Sequence, residues 1–173
     1  MKKSIIPNLF TFANLSSGVI SLVCTINGKY IAAAISVLCG ALIDRYDGRI
    51  ARALNVSSNL GKELDSLADL VTFGVAPSIL CYTMYSLNNL TLSNIIWNIL
   101  LLVFPICGAY RLARYNSTEF SGVFTGIPIT VAGSVLSILI VLNKYILIPN
   151  VIIGLLIVGL SYLMVSNIKF KKR

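Results

Sequence analysis

The chain has 173 residues, of which 57% are hydrophobic and only 12% charged, and it carries a formal net charge of +8. That composition excludes an ordinary water-soluble domain. The basic residues bracket apolar runs rather than forming a soluble patch, which argues against nucleic acid as a partner.

In chain order, the apolar stretches predict six helices, each long enough, or nearly so, to cross a hydrocarbon core of about 30 Å. They are Pro7–Asn27, Tyr30–Leu54, Gly61–Leu87, Ser93–Tyr115, Ile127–Ile146 and Val151–Ile168. Met1-Lys2-Lys3 before the first run mimics a secretory signal. No small-residue cleavage site follows and Pro7-Asn8 interrupts the run, so the expectation is a retained first helix. The second span carries small residues (Ala32-Ala33-Ala34, Ser36, Gly40) suited to close helix packing. Gly74 and Pro77 are expected to bend the third, which a membrane bundle tolerates. Trp97 and most of the tyrosines read as interfacial anchors or packing. Cys24, Cys39, Cys81 and Cys107 fall singly in four spans, with no C-x-x-C and no histidine. They predict core packing rather than zinc ligation. Linkers are short and no internal repeat stands out. The expected architecture is a single all-α integral membrane domain over residues 1–173, with six transmembrane helices around a polar cavity open to the cytoplasm.

Charge orients the spans. Of the 14 Lys and Arg, only Lys29 and Lys144 lie in the loops after helices one and five, and the other twelve lie in the regions that share the opposite side. All six acidic residues fall on that opposite side too. The positive-inside rule makes it cytoplasmic, with both termini there. The expected location is the cytoplasmic membrane, with the basic rim also attracting anionic headgroups.

Four of the six acidic residues occupy one 26-residue window: Asp44, Asp47, Asp65 and Asp69. From Tyr30 to Ile43 a straight helix rises about 21 Å, which puts Asp44 inside the bilayer thickness. Leu70–Leu87 spans about 27 Å, which sets Asp69 at a similar height on the next helix. Carboxylates at that depth must face water, protein or a metal. Asp44 and Asp47 are i,i+3 neighbours, while Gly61, Asp65 and Asp69 repeat every four residues along one stripe. Gly48 is a costly mid-helix glycine that permits close approach, and Arg52, one turn on, can reach a phosphate. Glu63 points off the stripe and reads as a solvated or lysine-paired charge. An all-oxygen cluster favours hard cations such as Mg²⁺, Mn²⁺ or Ca²⁺, and two of them can bridge a phosphate and activate a hydroxyl. A site between headgroups and hydrocarbon suits chemistry on a phospholipid precursor.

These residues carry a family resemblance. Asp44-x-x-Asp47-Gly48-x-x-Ala51-Arg52-(eight)-Gly61-x-x-x-Asp65-x-x-x-Asp69 resembles the CDP-alcohol phosphotransferase (CDP-alcohol phosphatidyltransferase) signature at all eight fixed positions. Shorter segments are similar to the phosphatidylserine synthase branch. They are Pro7-Asn8-Leu9-Phe10-Thr11-Phe12-Ala13-Asn14, Asp69-Leu70-Val71-Thr72-Phe73-Gly74-Val75-Ala76-Pro77, Arg111-Leu112-Ala113-Arg114-Tyr115-Asn116 and Phe124-Thr125-Gly126-Ile127-Pro128. Some relatives carry a basic residue where this chain has Asn14.

The resemblance implies two divalent cations, Mg²⁺ or Mn²⁺. Asp44, Asp47 and Asp65 hold the first, and Asp44, Asp65 and Asp69 the second. It implies that Asp69 is also the base for the acceptor hydroxyl, its basicity set by neighbouring carboxylates against the metals. Gly48, Arg52 and Ser58 are implied to contact the CDP part of a CDP-diacylglycerol or CDP-archaeol donor, with Gly61 in the same motif and help from Asn8 and Thr11. Serine attacks the lipid-bearing phosphorus and CMP leaves, forming phosphatidylserine or its archaetidyl counterpart. A homodimer is implied as well.

Arg111 and Arg114 are i,i+3 on one face of the fourth helix. They are expected either to anchor that helix at the interface or to supply at least one clamp for the carboxylate of L-serine. An acceptor bearing phosphate would want the same residues, so glycerol 3-phosphate and inositol phosphate stay open as alternatives. A metal-ion transporter is the remote alternative. It would need polar groups at several depths, whereas the ionisable residues here gather at one membrane face.

Overall fold

Apolar runs divided by turn residues fold into helices throughout the computed structural model, which describes residues 5–53, 59–85, 92–117 and 123–171. In chain order these are α1 (Ile5–Ile26), α2 (Tyr30–Ala53), α3 (Asn59–Asp69), a π-helical stretch (Leu70–Val75), α4 (Ala76–Tyr85), α5 (Leu92–Ser117), α6 (Ile129–Leu142) and α7 (Asn150–Val165). The segment Asn59–Tyr85 runs as one rod, so the described helices form six rods whose ends lie within a few residues of the predicted spans. Two three-residue strands accompany them, β1 (Val123–Thr125) and β2 (Lys169–Lys171). They pair antiparallel with Phe124 opposite Phe170. Gly126 follows β1 with φ of 73°, and its N–H donates to Ile168 O at 3.0 Å.

Among the described residues, three helices are long and apolar enough to cross a membrane: Asn8–Ile26, Asn59–Tyr85 and Ile95–Ser117. Ile129–Leu142 and Asn150–Val165 are apolar but shorter. The surface is what a bilayer requires. Large apolar side chains stand exposed along the rods, including Ile20, Ile96, Leu102 and Leu155, a pattern that would drive aggregation in water. α1 is polar on its inner face, where Thr11, Asn14, Ser17, Ser21 and Thr25 are all buried while Phe12, Val19, Ile20 and Val23 face outward. Two of these hydroxyls bond to nearby carbonyls of their own helix, Ser17 to Asn14 O and Thr25 to Ser21 O, as hydroxyls turned from hydrocarbon must.

Small residues let the rods approach. α1 packs mainly along α2, and both meet the Asn59–Tyr85 rod. A side chain at Gly18 would collide with Thr72, and one at Gly40 with Ser17 and Thr72. Of the predicted small face of α2, Ala33, Ala34 and Gly40 are buried, whereas Ala32 is exposed. Around Phe73, Phe104, Ile129, Leu136 and Met164 the remaining helices close an apolar core. Trp97 belongs to that core, stacked on Tyr85 with ring centroids 5.8 Å apart. Cys81 is buried, but Cys39 is exposed. The expectation that all four cysteines pack inside fails at Cys39, because it falls on an outward face of α2.

The predicted bend at Gly74 and Pro77 takes the form of a widened turn. Pro77 has no N–H to give to Phe73 O, and the ladder shifts, with Ala76 N–H reaching Val71 O, five residues back. Gly133 of α6 packs directly on the Phe73 backbone. Pro105 inside α5 raises the same problem for Leu101 O. There, the Ser78 hydroxyl of α4 donates to that carbonyl at 2.8 Å.

Candidate active site

α2 and α3 present their carboxylates toward each other. Asp44 comes from α2, while Asp65 and Asp69 share one face of α3 through their i,i+4 spacing. Each offers an oxygen, and the three lie within 4.8 Å of one another. Asp44 and Asp65 are half-buried, and Asp69 is only 9% exposed. Three carboxylates so close repel strongly in a poorly hydrated setting. A hard divalent cation with oxygen ligands removes that penalty, and the donor set fits one. Asp69 is the last residue before the π-helical stretch, so the widened turn begins at the cluster, a placement common at functional sites.

α1 supplies a member that spacing alone does not reveal. Asn14 Nδ2 donates to Asp69 Oδ1 at 3.0 Å across 55 residues of sequence, and Asn14 is only 1% exposed. Two hydroxyls pin it: Ser17 Oγ donates to Asn14 O at 2.6 Å, and Thr72 Oγ1 donates to the same carbonyl at 3.0 Å. The Asn14 Oδ1 is buried with no hydrogen-bond partner among the described residues. The one sequence cue was Asn14 standing where some relatives carry a basic residue. Thr11, one turn earlier on the same face, is buried, and Asn8 is half-buried.

α5 brings up the arginines, and the structure separates them. Arg111 lies within charge-interaction range of Asp69 and stacks over Tyr115, with its carbon Cζ 5.9 Å from the ring centroid. Among the described residues, its Nε is buried without a hydrogen-bond partner. Arg114 instead reaches the end of α7, where it donates to Val165 O at 3.0 Å, Asn167 Oδ1 at 3.2 Å and Ser166 O at 3.4 Å. A cation suits the carbonyl end of a helix. The expectation was that the pair either anchors the helix end or supplies at least one acceptor clamp; Arg111 lies near Asp69, while Arg114 is bonded to the end of α7.

Contacts from α3 hold this end of α5. Asn116 Nδ2 donates to Ser66 Oγ at 2.9 Å and to Glu63 Oε1 at 3.3 Å. Lys62 Nζ donates to Asn116 O at 3.4 Å and lies 5.4 Å from the Tyr115 ring centroid. Glu63 is exposed, as expected of a solvated charge, and also accepts from Asn116. Gly61 is half-buried on α3. Asp47, Gly48 and Arg52 lie on α2, but their side-chain surroundings, and Ser58 altogether, fall outside the described residues.

The family model for CDP-alcohol phosphatidyltransferase matches residues 4–165. The chain belongs to the CDP-alcohol phosphatidyltransferase family. With that membership and its apolar helices, it is a membrane protein. It is 40% identical over 166 residues to the CDP-diacylglycerol–serine O-phosphatidyltransferase of Bacillus subtilis (strain 168), covering 95% of this chain and 89% of that protein. It is also 40% identical over 172 residues to the protein of the same name from Helicobacter pylori (strain ATCC 700392 / 26695), covering 95% of this chain and 70% of that one. The archaetidylserine synthase of Methanothermobacter thermautotrophicus (strain Delta H) is 34% identical over 170 residues, which is 96% of this chain and 70% of the relative. The resemblance read from the aspartate spacing is thus carried by nearly the whole chain.

Proposed function

We propose that this CDP-alcohol phosphatidyltransferase transfers the phosphatidyl (or archaetidyl) group of a CDP-lipid to the hydroxyl of L-serine, releasing CMP, at the Asp44–Asp65–Asp69 cluster. The observation that carries the proposal is the convergence of those three carboxylates beside Asn14 and Arg111. The relatives named above support serine as acceptor.

Asp44, Asp47 and Asp65 would hold one Mg²⁺ or Mn²⁺, and Asp44, Asp65 and Asp69 a second. Such ions, when bound, neutralise charge on the donor phosphates. The residues do the rest. Asn14 fixes the Asp69 carboxylate by donating from Nδ2 to Asp69 Oδ1. That carboxylate accepts the serine hydroxyl proton as the serine Oγ–P bond forms and the P–O bond to CMP breaks. Arg111 clamps the serine carboxylate as a charge-assisted pair. Arg114 anchors the end of α5 to α7, so that Arg111 keeps its place. Asn8, Thr11, Gly48, Arg52, Ser58 and Gly61 hold the CDP-lipid.

The same reading takes residues 1–173 as one domain with six spans in the cytoplasmic membrane. Both termini and the site lie on the cytoplasmic face, supported by the twelve-to-two division of basic residues. It keeps the homodimer that the resemblance implies. Glycerol 3-phosphate and inositol phosphate are the competing acceptors. A phosphate carries more charge than a carboxylate, and Arg114 is engaged with the end of α7, which favours serine. The test is a screen of purified protein with CDP-diacylglycerol and each of serine, glycerol 3-phosphate, inositol and inositol phosphate. CMP release with serine alone is expected. Release with glycerol 3-phosphate but not serine would move the chain to another acceptor.

A further inference from the structure

The far end of the bundle holds a second feature that the transfer reaction does not use. Gly28 and Lys29 in the α1–α2 turn, Tyr30 opening α2, Met84 on α4, and Asn143 and Lys144 after α6 line a cavity of about 430 Å³. Two rods measure its distance from the carboxylates. Tyr30 precedes Asp44 by 14 residues and Met84 follows Asp69 by 15, so each helix rises about 21–23 Å between cavity and cluster. The cavity therefore belongs to the opposite membrane face.

Its charge is unusual for that face. Lys29 and Lys144 are the two basic residues in the loops of this side, they are 115 positions apart in sequence, and both line this one cavity. None of the lining residues is acidic. On this side the positive-inside rule gives a lysine no topological role, so their convergence calls for a ligand with negative charge. The first residues of α2, Tyr30 to Ala32, also line it, and a helix N-terminus adds a weaker preference of the same sign. The turn is preformed. Gly28 sits at φ 70°, its N–H donates to Thr25 O at 3.0 Å, and Lys29 N–H donates to Cys24 O at 2.8 Å. On the other wall, Asn143 Oδ1 accepts from Ile148 N–H at 2.8 Å.

The neighbouring surface says which anion. Immediately beyond Lys144, Tyr145, Ile146 and Leu147 are 76%, 65% and 91% exposed. Free phosphate would satisfy the lysines and leave that apolar loop bare. An amphiphile satisfies both. We propose that this cavity binds the phosphate headgroup of an anionic phospholipid in the leaflet opposite the aspartates, with its acyl chains lying against the Tyr145–Leu147 loop. The site rests on the membrane-spanning reading above and not on the transfer chemistry.

Native mass spectrometry of the purified protein, titrated with phosphatidylglycerol or phosphatidylcholine, tests this. Lys29→Gln/Lys144→Gln should weaken phosphatidylglycerol retention about 10- to 30-fold, from roughly 1 kcal/mol per lysine at an anionic membrane surface. Phosphatidylcholine retention should not change. Lys171→Gln/Lys172→Gln removes equal charge at the other face and should leave this binding step in place. Ala32→Phe fills the cavity while keeping both lysines, and should weaken phosphatidylglycerol as well. If the cavity variant and the double-lysine variant both retain phosphatidylglycerol like wild type, the proposal is overturned. It is equally overturned if inorganic phosphate alone gives the same protection against heating as the lipid does. CMP release by the Lys29→Gln/Lys144→Gln protein should persist, so that a failure of the transfer reading and a failure of this one are told apart.

Discussion

Asn14 separates a geometric role from mere proximity, because its amide holds one oxygen of Asp69 while two hydroxyls hold its own carbonyl. A hydrogen bond to a charged group is worth about 1.5–3 kcal/mol, so Asn14→Leu is predicted to lower kcat by roughly 10- to 100-fold. The KM for the CDP-lipid should move little, and steady-state kinetics against both substrates checks this. Asp44→Asn and Asp65→Asn remove oxygens expected to serve both cations, and each should abolish turnover while the protein still folds, since one repelling charge is gone. EDTA should do the same to wild type, with Mg²⁺ or Mn²⁺ restoring it. Arg111→Ala should raise the KM for serine and leave that for the CDP-lipid nearly unchanged. Arg114→Ala should instead lower thermal stability, because it unties the end of α7. A serine-specific KM effect at Arg114 and none at Arg111 would contradict the division between them.

At the scale of elements, two prolines in apolar helices pose a hydrogen-bond problem that hydrocarbon cannot solve. Pro105 strips a donor from Leu101 O, and Ser78 supplies one from the neighbouring rod. Ser78→Ala should cost about 1–3 kcal/mol of stability by leaving a part-buried carbonyl unpaired, with activity at low temperature preserved. Thermal unfolding followed by circular dichroism in detergent measures it. Such pairings mark the limit of sequence reading. The aspartate spacing was legible because i,i+3 and i,i+4 relations are set by the helix itself. So were the helices, which are long continuous apolar runs. Asn14 on Asp69, Ser78 on Leu101 and Arg114 on Val165 were not legible, since each joins residues more than 20 positions apart and depends on how rods pack. The bend at Gly74 and Pro77 was legible as a bend. Its π-helical form depends on how the Pro77 gap is closed by Ala76 bonding back to Val71.

Across the whole molecule the usual order of inside and outside is reversed along α1, with hydroxyls and an amide within and Phe12, Ile20 and Val23 outside. That reversal suits a protein whose solvent is lipid. It also brings the carboxylate cluster to one end of the bundle and Lys29 and Lys144 to the other. A reporter fused after Arg173 should read as cytoplasmic, as should one fused before Met1. An extracytoplasmic signal from either would break the six-span arrangement and put the carboxylates on the wrong side for a CDP-lipid made in the cytosol. The most direct measurement follows labelled L-serine into lipid-extractable product, using purified protein, CDP-diacylglycerol and Mg²⁺ or Mn²⁺. If the carboxylate cluster is the transfer site, wild type incorporates the label with one CMP released per serine, and both EDTA and Asp65→Asn stop it. Incorporation that survives Asp65→Asn, or CMP release without label in the lipid, would contradict serine transfer at this cluster.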